Sequence, residues 1–147
     1  VVKKNSNFVR NRATTKARKE GGGGGWYGYV CYRVYLRNSN FISNKAHFNG
    51  GAVSAKAIYD RIRRKYSIIL HDCLLINNTS HEGGGACIHN FDKVYIQSTL
   101  FQHNRATESG GAIMAKVEFK RHAKLVLGMN SIYEKNIAKK GIKIVYY

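Results

Sequence analysis

Acidic residues are what this chain has least of. Only 8 of its 147 residues are Asp or Glu, against 25 Lys or Arg, for a formal charge of +17. The carboxylates are scattered, which argues against the acidic cluster that a calcium-dependent lyase needs. Cysteine is scarcer still. Cys31, Cys73 and Cys87 are an odd number at no metal-ligand spacing, so neither a disulfide framework nor a zinc site is expected. No apolar run approaches the ~18 residues of a membrane-spanning helix. There is no signal-peptide pattern, and the chain begins with Val rather than Met, as expected of a processed product or an excerpt. A chain of this length is expected to form one domain with a real core. Its excess of positive charge points to an anionic partner: nucleic acid, an anionic glycan, an acidic membrane surface or acidic protein subunits.

What the chain does have is a repeat. Gly-Gly-Ala followed by an apolar residue occurs at "FNGGAV", "EGGGAC" and "ESGGAI". Six residues before Gly50, Gly84 and Gly110 stand Asn44, Asn78 and Asn104. Three residues before each Asn is a bulky apolar group: Phe41, Leu75 and Phe101. A weaker last copy runs from Tyr133 to Asn136, and a degenerate first copy from Phe8 to Asn11. The asparagines fall at 11, 44, 78, 104 and 136, in steps of 33, 34, 26 and 32.

Each copy also holds a β-rich run, "YRVYL", "YSIIL", "KVYIQ" or "AKLVL". None shows the ~3.6-residue period of an amphipathic helix. Ser39, Cys73, Thr99 and Ser131 lie two residues before the bulky position, on the same strand face, which is inward. Three short strands per repeat, separated by polar corners, predict a solenoid in which each repeat is one coil. The glycines suit a corner with positive φ, and the asparagines suit a stacked ladder. Residues 1–25 read as a basic segment with a degenerate first repeat, and 26–147 as the β-helix repeats. Lys3 to Lys19 carries seven positive charges and reads as an arm.

"FISNKAHFNGGAV" and "FQHNRATESGGAI" resemble the repeats of the chlamydial polymorphic outer-membrane proteins; "LINNTSHEGGGAC" has Leu for Phe, and "YEKNIAKKGIKI" keeps the Asn and one Gly. The resemblance covers about residues 34–145 and implies an all-β, right-handed parallel β-helix of about four to five coils. It also implies adhesive or structural work at the cell surface or outside the cell. The basic charge and the lack of a following membrane barrel depart from that family, which leaves the interior of a large assembly as the alternative place.

Candidate sites follow from the stacking. Phe41, Leu75, Phe101 and Tyr133, with Asn44, Asn78, Asn104 and Asn136, are expected to be a structural ladder. Glu82 and Glu108 each precede the aligned glycines by two residues, so neighbouring coils would set them about 5 Å apart. That is the separation of a retaining glycosidase pair, with His81 and His103 nearby. No other coil has a carboxylate there, and an enzyme is not the favoured reading. Cys73 is expected to stack with Ser39 and Thr99, and Cys87 with Val53 and Ile113, as small core residues. The run Gly21 to Gly25 lacks the Lys-Ser/Thr ending of a phosphate loop.

Two basic insertions, 56–66 and 116–124, fall at one corner and flank a short one. They predict a notch lined by Arg61, Arg63, Arg64, Lys65, Lys120, Arg121 and Lys124, with Tyr59, Tyr66 and Phe119 interleaved. Cations among aromatics suit a phosphate backbone or an anionic sugar chain. The favoured function is a non-enzymatic structural or adhesive scaffold, with no cofactor or metal, that docks an acidic protein surface, nucleic acid or anionic glycan. A polysaccharide-degrading enzyme and a basic subunit of a ribonucleoprotein or viral shell are the alternatives. An open last coil, ending in "IKIVYY", is expected to be capped by another protein subunit, a symmetry mate or sequence missing from this stretch.

Overall fold

The computed structural model describes residues 1–14, 22–58, 65–116 and 124–140, together with the backbone of 144–146. Every regular element among the described residues is a short strand. The first rung holds β1 (Val2–Lys4), β2 (Asn7–Val9), β3 (Arg12–Ala13) and β4 (Trp26–Tyr29). The second holds β5 (Arg33–Arg37), β6 (Asn40–Ile42), β7 (Lys45–Ala46) and β8 (Val53–Lys56). The third holds β9 (Ser67–His71), β10 (Leu74–Ile76), β11 (Thr79–Glu82) and β12 (Ala86–His89). The fourth holds β13 (Lys93–Gln97), β14 (Leu100–Gln102), β15 (Arg105–Ser109) and β16 (Ile113–Lys116). The fifth holds β17 (Lys124–Leu127), β18 (Ile132–Glu134) and β19 (Ile144–Tyr146).

Each strand pairs in parallel with its counterpart one rung away, building four sheets, A to D, in the order of strands along a rung. The chain is therefore a parallel β-helix. A rung has four strands, not the three that its apolar runs announce. The extra one is the sheet C strand that follows the ladder Asn. It is two residues long in β3 and β7, too short for an apolar period to show.

Alternation along each strand decides what is inside. In sheet A, Val34, Ile68 and Val94 form one buried column, and Leu36, Leu70 and Ile96 another. Sheet B stacks Phe41, Leu75 and Phe101, all fully buried. Phe8 lies on Phe41 with ring centroids 4.7 Å apart, and Tyr133 on Phe101 at 5.1 Å. Each such side chain contributes about 1.5–3 kcal/mol through the apolar surface it removes from water.

The corners need unusual backbone. Asn38, Asp72, Ser98 and Asn130 have positive φ just before the small polar residue that opens sheet B. Ser43, Asn77, His103 and Lys135 do the same just before the ladder Asn. The glycines answer a different need. Gly83 has φ +62°, matching Gly50 at +57° and Gly110 at +67°. At Gly84 a Cβ would stand 2.4 Å from the Gly111 carbonyl oxygen of the next rung, so only hydrogen fits.

These angles correct the repeat alignment. Gly83, not Gly84, is the counterpart of Gly50 and Gly110, because the third rung is one residue shorter than both neighbours between its ladder Asn and its glycines, so β15 carries one residue more than β11. The pairing passes from Ser80–Ala106 to Glu82–Ser109 across that bulge. Ala86 rather than Cys87 therefore stacks with Val53 and Ile113, and Cys87 lies between Ser54 and Met114.

Candidate anion-binding surface

The asparagine column is the best-defined polar feature of the interior. Asn44, Asn78 and Asn104 are fully buried and Asn136 nearly so. The amide of each donates to the next: Asn44 Nδ2 to Asn78 Oδ1 (3.1 Å), Asn78 Nδ2 to Asn104 Oδ1 (2.9 Å), and Asn104 Nδ2 to Asn136 Oδ1 (3.0 Å). The second amide hydrogen goes to the carbonyl of the bulky residue on the preceding rung: Phe8, Phe41, Leu75 and Phe101. Each Oδ1 also accepts the backbone N–H of the Asn one rung earlier, at 2.9–3.0 Å. Every hydrogen-bonding group of an interior ladder amide is used, so these residues hold the corner and have nothing left for a ligand.

A second ladder lies at the entry to sheet B. Ser39 Oγ donates to the Arg37 carbonyl at 2.8 Å, and Thr99 Oγ1 to that of Gln97 at 2.9 Å. Cys73 takes this place in the third rung, its thiol directed at the Leu36 and His71 carbonyls. Burial pushes the Cys73 thiol pKa up.

The bulge separates the two glutamates that sequence spacing set side by side. Glu82 pairs with Ser109 on one side and Asn49 on the other. Glu108 belongs to the enlarged part of β15 and is tied to Lys140 at 2.8 Å. That ion pair, with the hydrogen bond within it, holds the Glu108 carboxyl below its usual range.

Folding brings together a group that spacing along the chain did not reveal. A carboxylate oxygen of Glu82, the Cys87 sulfur and an imidazole nitrogen of His89 lie within 4.8 Å of one another. These atom types suit a borderline divalent ion such as zinc. The Cys87 thiol is, however, pushed strongly up by burial and by the Glu82 charge, and its sulfur lies 3.2 Å from His89 Nε2. A thiol–imidazole hydrogen bond accounts for that contact without a metal. Strand alternation was the available signal: Cys87 and His89 are two apart on one face.

Of the notch residues, Lys65 and Lys124 are within the described chain, and both are exposed. Arg61, Arg63, Arg64, Lys120 and Arg121 lie outside the described residues, as do Tyr59 and Phe119. The register does set the three D-to-A corners on successive rungs, because β9, β13 and β17 are neighbours. Tyr66 differs from expectation. It is 1 % exposed, its N–H donates to Asp92 Oδ2 at 2.8 Å, and its ring packs between Tyr32 and Phe91. It is a core residue at that corner, not a lining group.

Sequence reading missed a second cationic region, on the outer face of sheet C. Arg12, Lys45, Thr79 and Arg105 form one outward column on successive rungs. Beside it is a groove of about 410 Å³ whose lining includes Lys45, His47, Phe48, His81, Arg105 and Thr107. The signal was present as the residue immediately after each ladder Asn, or Asn11 in the first rung: Arg12, Lys45, Thr79 and Arg105.

Comparison with known proteins agrees with this architecture. Residues 98–116 match the Chlamydia polymorphic membrane protein repeat. The matched stretch runs from the corner before β14 to the end of β16 and contains Phe101, Asn104 and the Gly110-Gly111 corner. The chain thus resembles that family through its fourth rung. No curated protein and no solved structure gives a significant match.

Proposed function

We propose that this chain is a non-enzymatic structural or adhesive β-helix scaffold that docks an acidic or polyanionic partner within a larger assembly. The observation that carries the reading is the division of labour between faces. Inward positions are spent on the apolar columns and the ladders, no Lys or Arg is buried among the described residues, and the sequence carries a formal charge of +17. So large an excess is more than solubility needs, and it concentrates anionic partners near the surface. Arg61, Arg63, Arg64, Lys65, Lys120, Arg121 and Lys124 at the D-to-A corners are the proposed docking notch. Resemblance to a membrane-protein repeat supports a place at the cell surface. No helix among the described residues is long and apolar enough to cross a membrane.

The proposal extends to the ends of the stack. β19 pairs on β16 and has no further strand beyond it among the described residues. An open parallel edge recruits another strand, so a cover over the last rung, from another chain, a second copy or further sequence, is part of the reading. Side-by-side titration of the chain with a sulfated glycan, RNA, duplex DNA and polyglutamate, at two salt concentrations, tests the docking. Salt-sensitive binding to at least one of them is expected. Binding to none removes the reading, and a steep salt slope on nucleic acid alone reassigns the chain to a ribonucleoprotein or shell subunit.

A further inference from the structure

We propose that the outer face of sheet C is a binding site for one extended strand of a sulfated or carboxylated polysaccharide, an inference that rests on the polyanion reading and deepens it. Three exposed cations, Arg12, Lys45 and Arg105, stand in one column, and none forms an ion pair with any described residue. Neighbouring rungs are about 4.8 Å apart, so Lys45 and Arg105, two rungs from each other, are separated by about 10 Å. That is the scale of one disaccharide unit in an extended glycan, the repeat on which such chains place their charges. Thr79 lies between the two cations and offers a hydroxyl where a sugar would lie.

The groove beside the column gives the strand a wall. It lies beside the irregular stretch that follows β7, which ends at Ala46 while β11 continues to Glu82 and β15 to Ser109. His81 Nδ1 and Thr107 Oγ1 are 2.8 Å apart and tie two rungs of that wall together. The two carboxylates at this edge are Glu82 and Glu108. Glu108 is neutralised by Lys140, and Glu82 stands at the far end of β11 from Thr79.

The groove favours a glycan over a nucleic acid. Single-stranded nucleic acid is held by aromatic platforms on which bases stack. Phe48 is the aromatic ring in the groove lining, and His47 meets it edge-on with centroids 4.5 Å apart. Cations, imidazoles and hydroxyls with a single occupied ring are the equipment for sulfate, carboxylate and sugar hydroxyls.

The experiment measures binding of a heparin-derived tetrasaccharide by calorimetry. It uses the unaltered chain, the groove variant Lys45→Glu/Arg105→Glu, and the notch variant Arg61→Glu/Arg63→Glu/Arg64→Glu. Lys45→Gln/Arg105→Gln serves as a milder groove variant, with far-UV circular dichroism checking that each folds. The expected result is at least a tenfold loss of affinity in both groove variants, while the charge control Arg33→Glu/Lys135→Glu, at two exposed cations outside both the groove and the notch, loses less than threefold. The salt slope should fall by about two, one for each cation removed. Groove variants that bind within threefold of the unaltered chain overturn this site; if the notch variant then loses binding, the general polyanion reading stands without it. A single-stranded oligonucleotide that binds tighter than the tetrasaccharide and depends on the same two cations overturns the glycan assignment. No binding of any polyanion overturns both proposals.

Discussion

Replacing Asn104 by Leu removes a side chain of similar size and every hydrogen bond that the ladder makes through it. Asn104 Oδ1 accepts from the Asn78 backbone N–H at 3.0 Å and from Asn78 Nδ2 at 2.9 Å. Its Nδ2 donates to the Leu75 carbonyl at 2.7 Å and to Asn136 Oδ1 at 3.0 Å. After substitution, two donors of Asn78 and the Leu75 carbonyl lose a partner in a site with no solvent access, while Asn136 Oδ1 keeps the N–H of residue 104. Each buried group left unsatisfied costs about 1–3 kcal/mol. Three of them, partly relieved by relaxation of the corner, amount to roughly 3–5 kcal/mol, a large fraction of a domain's ordinary stability. A fall in Tm on the order of 10 °C is expected for a chain of this size. Urea and thermal unfolding followed by circular dichroism measure it. The control is Asn40→Ala, which removes a more exposed ladder bond to Asn7 (2.9 Å) and is expected to cost about 0.5 kcal/mol or less. A loss below about 1 kcal/mol for Asn104→Leu, or equal effects at the two sites, refutes the argument that buried polar pairing holds this corner.

Four further outcomes follow from particular sites. Gly84→Ala forces a Cβ to 2.4 Å from the Gly111 carbonyl oxygen, so destabilisation of at least about 3 kcal/mol is expected in the same unfolding assay. Val30 holds φ +56° with a β-branched side chain, and Asn90, its counterpart two rungs on, tolerates φ +62°; Val30→Asn should therefore stabilise the chain by about 1 kcal/mol. Burial lifts the pKa of the Tyr133 hydroxyl to about 12, against a smaller lowering by Ser131. Because the folded value exceeds the unfolded one, the folded state keeps this proton longer, and stability present below pH 10 is lost as pH rises toward 12. Allowing for partial exposure, the loss is about 1 kcal/mol, and Tyr133→Phe should abolish that part of the alkaline titration without lowering stability at pH 7. Among the thiols, Cys31 should alkylate first in the native protein, whereas Cys73 and Cys87 should react only on unfolding, since both are buried with raised pKa values; mass spectrometry after brief labelling reads this directly.

The sequence by itself determined the columns. A solenoid repeats its environment, so Phe41, Leu75 and Phe101 recur with Asn44, Asn78 and Asn104 at a fixed offset of three, and the architecture follows from the recurrence. Spacing along one chain does not show where one rung slips against the next. One residue fewer in the third rung than in either neighbour moved Glu108 out of line with Glu82, exchanged Ala86 for Cys87 in the core column, and made Gly83 the counterpart of Gly50. Nor does spacing show which aromatic is covered: Tyr66 reads in the sequence as one more aromatic of a basic segment, and Tyr32 and Phe91 close over it. The groove beside Lys45 and Arg105 is likewise a tertiary product. Its cations are 60 residues apart in the chain and two rungs apart in space, because parallel stacking turns a distance along the sequence into a neighbourhood.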